Sequence, residues 1–143
     1  MAQRTIRMII DQQTLVTATA SMNVREAARL MKEHRVGAVM VVEDDKLVGI
    51  FTERDAAFRV LAEGLDGTAL LSDTMTRNPQ TLHPDKLFTH ALDIMYRGGF
   101  RHVPVVEEGR PVGIVSARDA LGPELEAFVY ELLRQEQVDE VLA

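Results

Sequence analysis

Apolar and polar positions follow the same order twice along this chain. In the first pass, apolar residues recur at the spacing of one helix face: Val24, Ala27, Ala28 and Met31. Asn23 precedes this helix and Glu26 follows three residues later, which predicts a capping box. The β-branched run 38–42, a polar turn and the apolar run 47–51 predict a β-hairpin. A second helix is predicted from residue 53 to a stop at Gly64.

The order returns in the second half of the chain. Residues 81–120 align with residues 17–56 without a gap, so that "GIFTERDA" (49–56) matches "GIVSARDA" (113–120). Each unit is predicted as β-α-β-β-α, which is an α+β arrangement. Two copies are too few for a solenoid. We therefore expect two pseudosymmetric repeats, 5–64 and 70–122, packed about an approximate twofold axis.

The chain departs from the repeat after residue 122. Gly122-Pro123 breaks the short helix that follows the second motif, and Pro123 suits the first turn of a new one. An acidic amphipathic helix is predicted over 123–143. Its apolar stripe comprises Leu125, Phe128, Val129 and Leu132.

Composition and charge exclude several classes of protein. There is no cysteine, so neither a disulfide framework nor a thiolate metal site is expected. No apolar run reaches the length of a membrane span, and no secretory signal is evident. The net charge of −6 lies mostly after Pro123, and no basic stripe suits nucleic acid. These features predict a cytoplasmic protein with neither membrane nor nucleic acid as a direct partner.

The repeated motif places three polar groups where an apolar strand stops. A carboxylate in the first turn of a helix accepts two hydrogen bonds from a vicinal diol such as that of ribose. An arginine beside a helix N-terminus favours phosphate, and the isoleucine offers an apolar surface to a base. The groups are Ile50, Thr52, Arg54 and Asp55 in the first copy and Ile114, Ser116, Arg118 and Asp119 in the second. Helix capping alone would explain the hydroxyl and the carboxylate, but a cap needs no arginine.

The tandem motif, behind the matching hairpins "VGAVMVVEDDKLV" and "FRHVPVVEEGRPV", resembles a pair of cystathionine-β-synthase-type (CBS) domains. The resemblance covers roughly residues 5 to 122. It implies a Bateman module, in which two repeats pack through their sheets and leave two clefts for adenosyl ligands such as AMP, ADP, ATP, NAD or S-adenosylmethionine. In that family the motif aspartate holds the ribose, the Thr or Ser assists, and the residue before the aspartate faces the phosphate. Such modules usually dimerise into a flat disc.

The resemblance also implies further ligand contacts. The pair before the second-repeat strand, Arg101 and His102, is expected to supply basic groups to phosphate, whereas the first repeat has Gly37 and Ala38 there. We therefore expect unequal clefts, with the better one built on Ser116, Arg118 and Asp119, unless packing of the repeats points Arg101 across into the other cleft. The remaining expected contacts are Val36 and Gly37 at the base, and Thr17 and Thr81 near the adenine edge. Three other histidines lack metal-ligand spacing and are expected at the surface: His34, His83 and His90.

The leading functional prediction is a stand-alone regulatory, energy-sensing module that binds an adenine nucleotide (AMP, ADP, ATP or NAD) and reports it to an unknown protein target. It would require no cofactor and would not be an enzyme, because no nucleophile-base pair is evident. A homodimer is expected from uncovered apolar helix faces, with the C-terminal helix acting in assembly or partner docking. The alternatives are a structural dimerisation module with vacant clefts and, less favoured, a nucleotide hydrolase.

Overall fold

Two matching sets of helices and strands make up the fold. The computed structural model describes residues 3–142, apart from the side chains at 138 and 140–142. The first set is α1 (Ile6–Ile10), β1 (Thr17–Ala18), α2 (Val24–His34), β2 (Ala38–Glu43), β3 (Lys46–Thr52) and α3 (Glu53–Asp55), which continues as a π-helix (Ala56–Leu61). The second set is α4 (Leu71–Thr74), β4 (Thr76–Arg77), α5 (Phe88–Gly98), β5 (His102–Glu107), β6 (Arg110–Ser116), a 3₁₀ turn (Ala117–Asp119) and α6 (Gly122–Leu142). The predicted α+β class is confirmed, while in the second repeat the predicted first strand is a single bridge and a 3₁₀ turn follows β6.

The strands form two sheets. The first has the order β1-β2-β3-β4, with β1 parallel to β2 and the other pairs antiparallel. The second consists of the antiparallel hairpin β5-β6. Leu82 bridges Val105 in parallel, where the first repeat has β1 beside β2. The two sheets meet where β3 lies against β6.

Each repeat has its own apolar core, and the short lead-in helices are exchanged between the cores. Leu71 of α4 is buried with Met31 and Phe51 in the first core. Ile6 and Ile10 of α1 are buried in the second core, although α1 precedes the first repeat in the chain. Each lead-in helix thus ties one repeat to the other, so the ends of the two hairpins are held at a fixed separation.

The outer edges of the two hairpins are covered differently. In the first, β4 pairs with β3, placing Thr76 opposite Ile50. In the second, the side-chain amide of Gln13 pairs with the edge strand in place of a neighbouring strand. Its Nε2 donates to Ile114 O at 2.8 Å, and Ile114 N donates to its Oε1 at 2.8 Å. A strand on one side and a single side chain on the other give the two motif regions different neighbours.

The segment after the first motif departs from the predicted α-helix. It holds i→i+5 hydrogen bonds, with Ala62 N donating to Ala57 O at 2.9 Å and Leu65 N donating to Val60 O at 2.9 Å. Gly64 follows in the left-handed conformation, at φ 73°. A π-helix changes which side chains share a face, and such segments often occur at functional sites.

The C-terminal helix, α6, extends beyond both ends of its predicted apolar stripe. It begins at Gly122 and runs to Leu142, while Ala143 lies outside the described residues. Phe128 packs against the second core and meets Tyr96 edge to face, with ring centroids 6.2 Å apart. Leu125 and Val129 stay 48% and 45% exposed, so only part of the predicted stripe is covered. Within residues 3–142, no helix is long and apolar enough to cross a membrane.

Candidate functional site

The first motif forms a reciprocal cap at the end of β3. Asp55 N donates to Thr52 Oγ1 at 3.2 Å, while Thr52 N and Thr52 Oγ1 donate to Asp55 Oδ2 at 3.0 and 3.1 Å. Serine, threonine and aspartate at these positions favour this arrangement because each satisfies a helix-end group. The cap fixes the direction in which the carboxylate points.

The second oxygen of Asp55 is held by groups outside the motif. Thr76 Oγ1 donates to Oδ1 at 3.2 Å, and Arg59 Nε lies 3.4 Å from the same oxygen. Asp55 is only 6% exposed. A buried carboxylate needs such partners, and here they come from β4 and the π-helix.

The second motif repeats the cap without these extra partners. Ser116 N donates to Asp119 Oδ2 at 2.7 Å, with Ser116 Oγ at 3.5 Å. Beside Ile114, Gln13 takes the place that Thr76 has beside Ile50, and Pro123 stands where the continued alignment has Arg59. Among the described residues, no donor lies within hydrogen-bond distance of the Asp119 Oδ1 oxygen.

A different contact ties down the second motif. Arg4 Nη2 donates to the backbone oxygen of Asp119 at 2.8 Å and to Glu124 Oε1 at 2.6 Å. Its Nε donates to Glu124 Oε2 at 3.0 Å, and its guanidinium lies 5.7 Å from the Phe88 ring centre. The hydrogen bond from Arg4 lowers the pKa of the Glu124 carboxyl. This clasp, formed by Arg4 and Glu124, joins the N-terminal segment to the start of α6.

A cleft of about 670 Å³ opens where the two hairpins end, a volume within the range of small-molecule sites. Both repeats contribute to it. The predicted site residues that line it are Gly37, Ile50, Thr52, Arg54, Asp55, Arg101, His102, Ser116 and Arg118. The strand ends explain this convergence, because β3 and β6 lie side by side and stop at the same edge.

Five predicted contacts are not among the residues that line this cleft: Val36, Ile114, Asp119, Thr17 and Thr81. Val36 lines a second, neighbouring cavity instead. Thr17 and Thr81 are both exposed, and of the segment around Thr81 the cleft is lined by Pro79 and Gln80. Asp119 is the most consequential of the five, since the better site was expected there.

The structure places the basic pair in the alternative position, across from its own motif. Arg101 and His102 belong to the second repeat in sequence, but they line the cleft that contains Thr52 and Asp55 of the first. Packing of the hairpins side by side carries the start of β5 across to the neighbouring motif. The basic pair therefore adds to the Asp55 cleft, where the sequence expectation assigned it to the Asp119 cleft.

Some of the arginines that line the cleft are bound to other protein groups, and others are not. Arg54 Nη1 donates to Gly99 O at 2.8 Å, and its guanidinium lies 5.7 Å from the Phe58 ring centre. Arg101 and Arg118 are exposed, and neither forms a side-chain hydrogen bond or an ion pair with any described residue. Solvated, unpaired guanidinium groups beside a carboxylate suit a ligand that carries both hydroxyls and an anion.

His102 is the titratable group most affected by the cleft. Burial lowers the pKa of His102, because desolvation disfavours the charged imidazole. Glu53 and Asp119 act in the opposite direction, while Arg101 and Arg118 lower the pKa further. The imidazole is therefore neutral near pH 7, with a hydrogen-bonding nitrogen available to a ligand.

Several lining residues escaped the sequence interpretation, chiefly Phe58, Arg59, Thr76 and Phe100. Arg59 follows Asp55 by four residues, and side chains at this spacing are neighbours on a helix. Its contact with Asp55 could therefore have been predicted. Thr76 carries no such signal, because only the pairing of β4 with β3 brings it to Asp55.

The predicted absence of a metal site was based on histidine spacing. His34, His83 and His90 are exposed, as expected. In the part of the chain that the structure describes, no cluster of three or more His, Cys, Asp or Glu side chains could hold a metal ion.

Comparison with known proteins identifies the repeats. The family model described as "CBS domain" matches residues 9–62 and again residues 71–123. This chain belongs to the CBS domain family. The CBS domain-containing protein YhcV of Bacillus subtilis is 39% identical over 111 residues, which cover 76% of this chain and 79% of that protein. Two longer Arabidopsis thaliana relatives are matched over only 22% of their length.

Solved structures share the arrangement of two CBS repeats. The CBS domain pair of protein MJ0100, in complex with 5′-methylthioadenosine and S-adenosyl-L-methionine, is 31% identical with a TM-score of 0.75, covering 82% of this chain and 93% of that one. The CBS domain protein PAE2072 from Pyrobaculum aerophilum, complexed with AMP, has a TM-score of 0.79 at 24% identity, covering 89% of this chain and 99% of that one. The second likeness shows the fold alone.

Proposed function

We propose that this chain is a regulatory module that binds an adenine nucleotide in the cleft between its CBS repeats. One observation carries the proposal: a single cleft joins the capped carboxylate of Asp55 to Arg101 and Arg118, two guanidinium groups without a protein partner. A carboxylate with cations across from it matches a ribose diol followed by phosphate.

Each part of a nucleotide has a complementary group in the cleft. The ribose hydroxyls would donate to Asp55, while the base packs on Ile50 and Pro79 and the phosphate meets Arg101 and Arg118. Thr52 and Thr76 donate hydroxyl hydrogens to Asp55 in the free protein, and hydroxyls rotate readily to other acceptors. The backbone N–H of Thr52 keeps the carboxylate in place during that exchange.

The charges in the cleft favour phosphate over other adenosyl groups. Four arginines line it (Arg54, Arg59, Arg101 and Arg118) against two acids (Glu53 and Asp55). A phosphate gains charge-assisted hydrogen bonds here, whereas a cationic sulfonium would be repelled. AMP, ADP, ATP or NAD are thus proposed ahead of methylthioadenosine and S-adenosylmethionine, the ligands of the MJ0100 complex.

The proposed activity is regulation without turnover. The bound nucleotide would change the surface that an unidentified protein target contacts, and no cofactor takes part. We also propose a homodimer, since Phe58, Leu61 and Leu65 are 63%, 76% and 44% exposed around one end of the π-helix. A second copy of the chain would cover them.

Calorimetry tests the binding proposal. AMP, ADP, ATP and NAD should each produce saturable heat, while adenosine and methylthioadenosine should bind more weakly by about tenfold or more. Chromatography of the nucleotides after prolonged incubation should show no product. Absence of binding by all four nucleotides at millimolar concentration would reject the sensing function in favour of a structural module, and product formation would favour the hydrolase.

Light scattering tests the dimer separately. The protein should have the mass of two chains at micromolar concentration, and Leu61→Glu should shift it towards one chain. Leu15→Glu provides the matched control, because Leu15 is also exposed but lies between α1 and β1. A monomeric wild-type protein would reject the dimer without affecting the proposal for the ligand.

A further inference from the structure

A second cavity lies next to the proposed nucleotide cleft, between α2 and the π-helix. Its volume is about 500 Å³. Three residues line both cavities: Gly37, Glu53 and Arg118. A ligand seated on Asp55 and Arg118 could therefore extend past Gly37 into this second space.

Gly37 lies at the junction of the two cavities, directly beside the Glu53 carboxylate. A Cβ at this position would collide with Glu53 Oε1 and lie 3.3 Å from His102 Cε1. The repeat counterpart of Gly37 is Arg101, a large side chain. A glycine at this point leaves room for the Glu53 side chain at the junction, where any other residue would displace it.

The second cavity has cationic walls. Lys32 and Arg35, near the end of α2, line it together with Arg118. Glu53 supplies one negative charge, so these four groups carry a net positive charge. Within the described residues, neither Lys32 nor Arg35 forms an ion pair. The apolar remainder of the lining includes Met31 and Leu61.

Arg35 occupies this position in a backbone conformation that suits glycine better. Its φ is 56°, in the left-handed region, where the counterpart in the second repeat is Gly99 at φ 71°. A side chain in that region costs backbone energy that glycine avoids. The guanidinium is therefore placed at the cavity despite the local preference for glycine at the end of a helix.

We propose that the second cavity is the subsite for the phosphate chain beyond the first phosphate of the bound nucleotide. This inference rests on the proposed function and favours, among the nucleotides proposed there, those with two or three phosphates. The first phosphate lies by Arg101 and Arg118, and the following phosphates pass Gly37 to reach Lys32 and Arg35. The chain is thus expected to bind ATP more tightly than AMP.

Titration of full-length protein with AMP and with ATP, in Mg²⁺-free buffer, tests the subsite. Wild-type protein should bind ATP about tenfold more tightly than AMP, from two added charge-assisted contacts. Arg35→Gly and Lys32→Ala should each weaken ATP binding about fivefold and leave AMP binding within about twofold. Arg29→Ala is the matched control, since Arg29 is an exposed cation of α2 that lines neither cavity.

Arg35→Gly separates a binding effect from a folding effect. Glycine adopts the left-handed conformation without strain, so this variant should melt at or above the wild-type temperature while ATP affinity falls. Glu53→Gln should have the opposite effect and tighten ATP binding about threefold, by removing the one acid at the passage. General destabilisation would weaken ATP binding in both variants, so it would not explain a loss of affinity in Arg35→Gly together with a gain in Glu53→Gln.

The outcomes distinguish this subsite from the proposed function itself. Equal affinities of wild-type protein for AMP and ATP would overturn the subsite while preserving nucleotide binding. Equal losses of ATP affinity in Arg35→Gly and Arg29→Ala would overturn it too, because they would show only nonspecific electrostatic attraction. Absence of binding by both nucleotides would instead overturn the proposed function.

Discussion

The two copies of the motif have the same cap but different surroundings. Asp55 and Asp119 each complete a capping box with the hydroxyl residue three positions earlier. Asp55 also meets Thr76 and Arg59, and it lines the large cleft. Asp119 lacks those partners, and its backbone is held instead by Arg4.

This difference shows that a repeated motif specifies local structure more strongly than it specifies a site. The cap depends on residues three positions apart, so both copies form it. The cleft depends on β4, the π-helix and the start of β5, which come from distant parts of the chain. Equal motifs can therefore give unequal sites within one pseudosymmetric fold.

The largest expected effect concerns the two aspartates. Asp55→Ala should weaken AMP binding about thirtyfold or more, since it removes a charged acceptor for the ribose hydroxyls. Asp119→Ala should change AMP affinity less than about threefold. Calorimetric titration of both variants measures the contrast, with thermal melting to check that each remains folded. Equal losses, or a larger loss for Asp119→Ala, would contradict the assignment of the site to Asp55.

The next effect tests whether the second repeat contributes to the site built on the first motif. Arg101→Ala should weaken AMP binding about tenfold by removing one phosphate contact. Arg110→Ala should leave it unchanged, because Arg110 is an exposed arginine at the opposite end of the β5-β6 hairpin. If the two variants bind AMP equally well, Arg101 does not contact the phosphate.

A smaller effect concerns the clasp formed by Arg4 and Glu124. Arg4→Ala should reduce the free energy of unfolding by about 1–2 kcal/mol, because a partly buried, doubly bonded ion pair is lost. The melting temperature should fall by roughly 3–6 °C. AMP affinity should stay the same, since the clasp supports the second motif.

Arg7→Ala is the control for the clasp. Arg7 also pairs with acids, Asp85 and Glu107, but its side chain is 50% exposed. Its removal should lower the melting temperature less than the removal of Arg4 does, because exposed ion pairs contribute little to stability. Equal melting temperatures for Arg4→Ala and Arg7→Ala would show that the clasp adds nothing beyond a surface pair.

The smallest effect is the pH dependence contributed by His102. Its pKa is lowered in the folded protein, so the unfolded chain takes up a proton first as pH falls below about 6.5. Stability is therefore full above that pH and declines as pH falls through the folded pKa. A bound phosphate favours the protonated imidazole, so AMP affinity should instead rise as pH falls from 7.5 towards 6.

His102→Gln isolates this contribution from the titration of AMP itself. The phosphate of the nucleotide titrates in the same range for both proteins, so the difference between their pH profiles reports on the imidazole. The variant should have a flatter stability profile below pH 6.5 and a flatter affinity profile. Identical profiles for the two proteins would show that His102 does not contribute to either.

Sequence reasoning was sufficient where structure depends on nearby residues. The hairpins follow from runs of β-branched residues around polar turns, and the start of α2 follows from Asn23, whose Oδ1 accepts from Glu26 N at 2.8 Å. The prediction of an α-helix after the first motif was wrong, since this segment is a π-helix. The spacing of apolar residues does not distinguish i→i+5 from i→i+4 hydrogen bonding.

The candidate site was only partly predictable for the same reason. Thr52, Asp55 and Arg54 were found because they stand in one short motif. The partner of each motif was assigned within its own repeat, whereas β3 and β6 lie side by side and bring Arg101 to Asp55. Thr76 was missed because its role depends on a two-residue strand that pairs through its backbone.

The most direct test of the central claim is a crystal structure of the protein with AMP. We expect one AMP in the cleft lined by both repeats, with ribose hydroxyls on the Asp55 carboxylate and the phosphate on Arg101 or Arg118. The contacts to Asp55 should fall within normal hydrogen-bond distance, about 2.5–3.2 Å. AMP bound to Asp119 alone, with the Asp55 cleft empty, would contradict it.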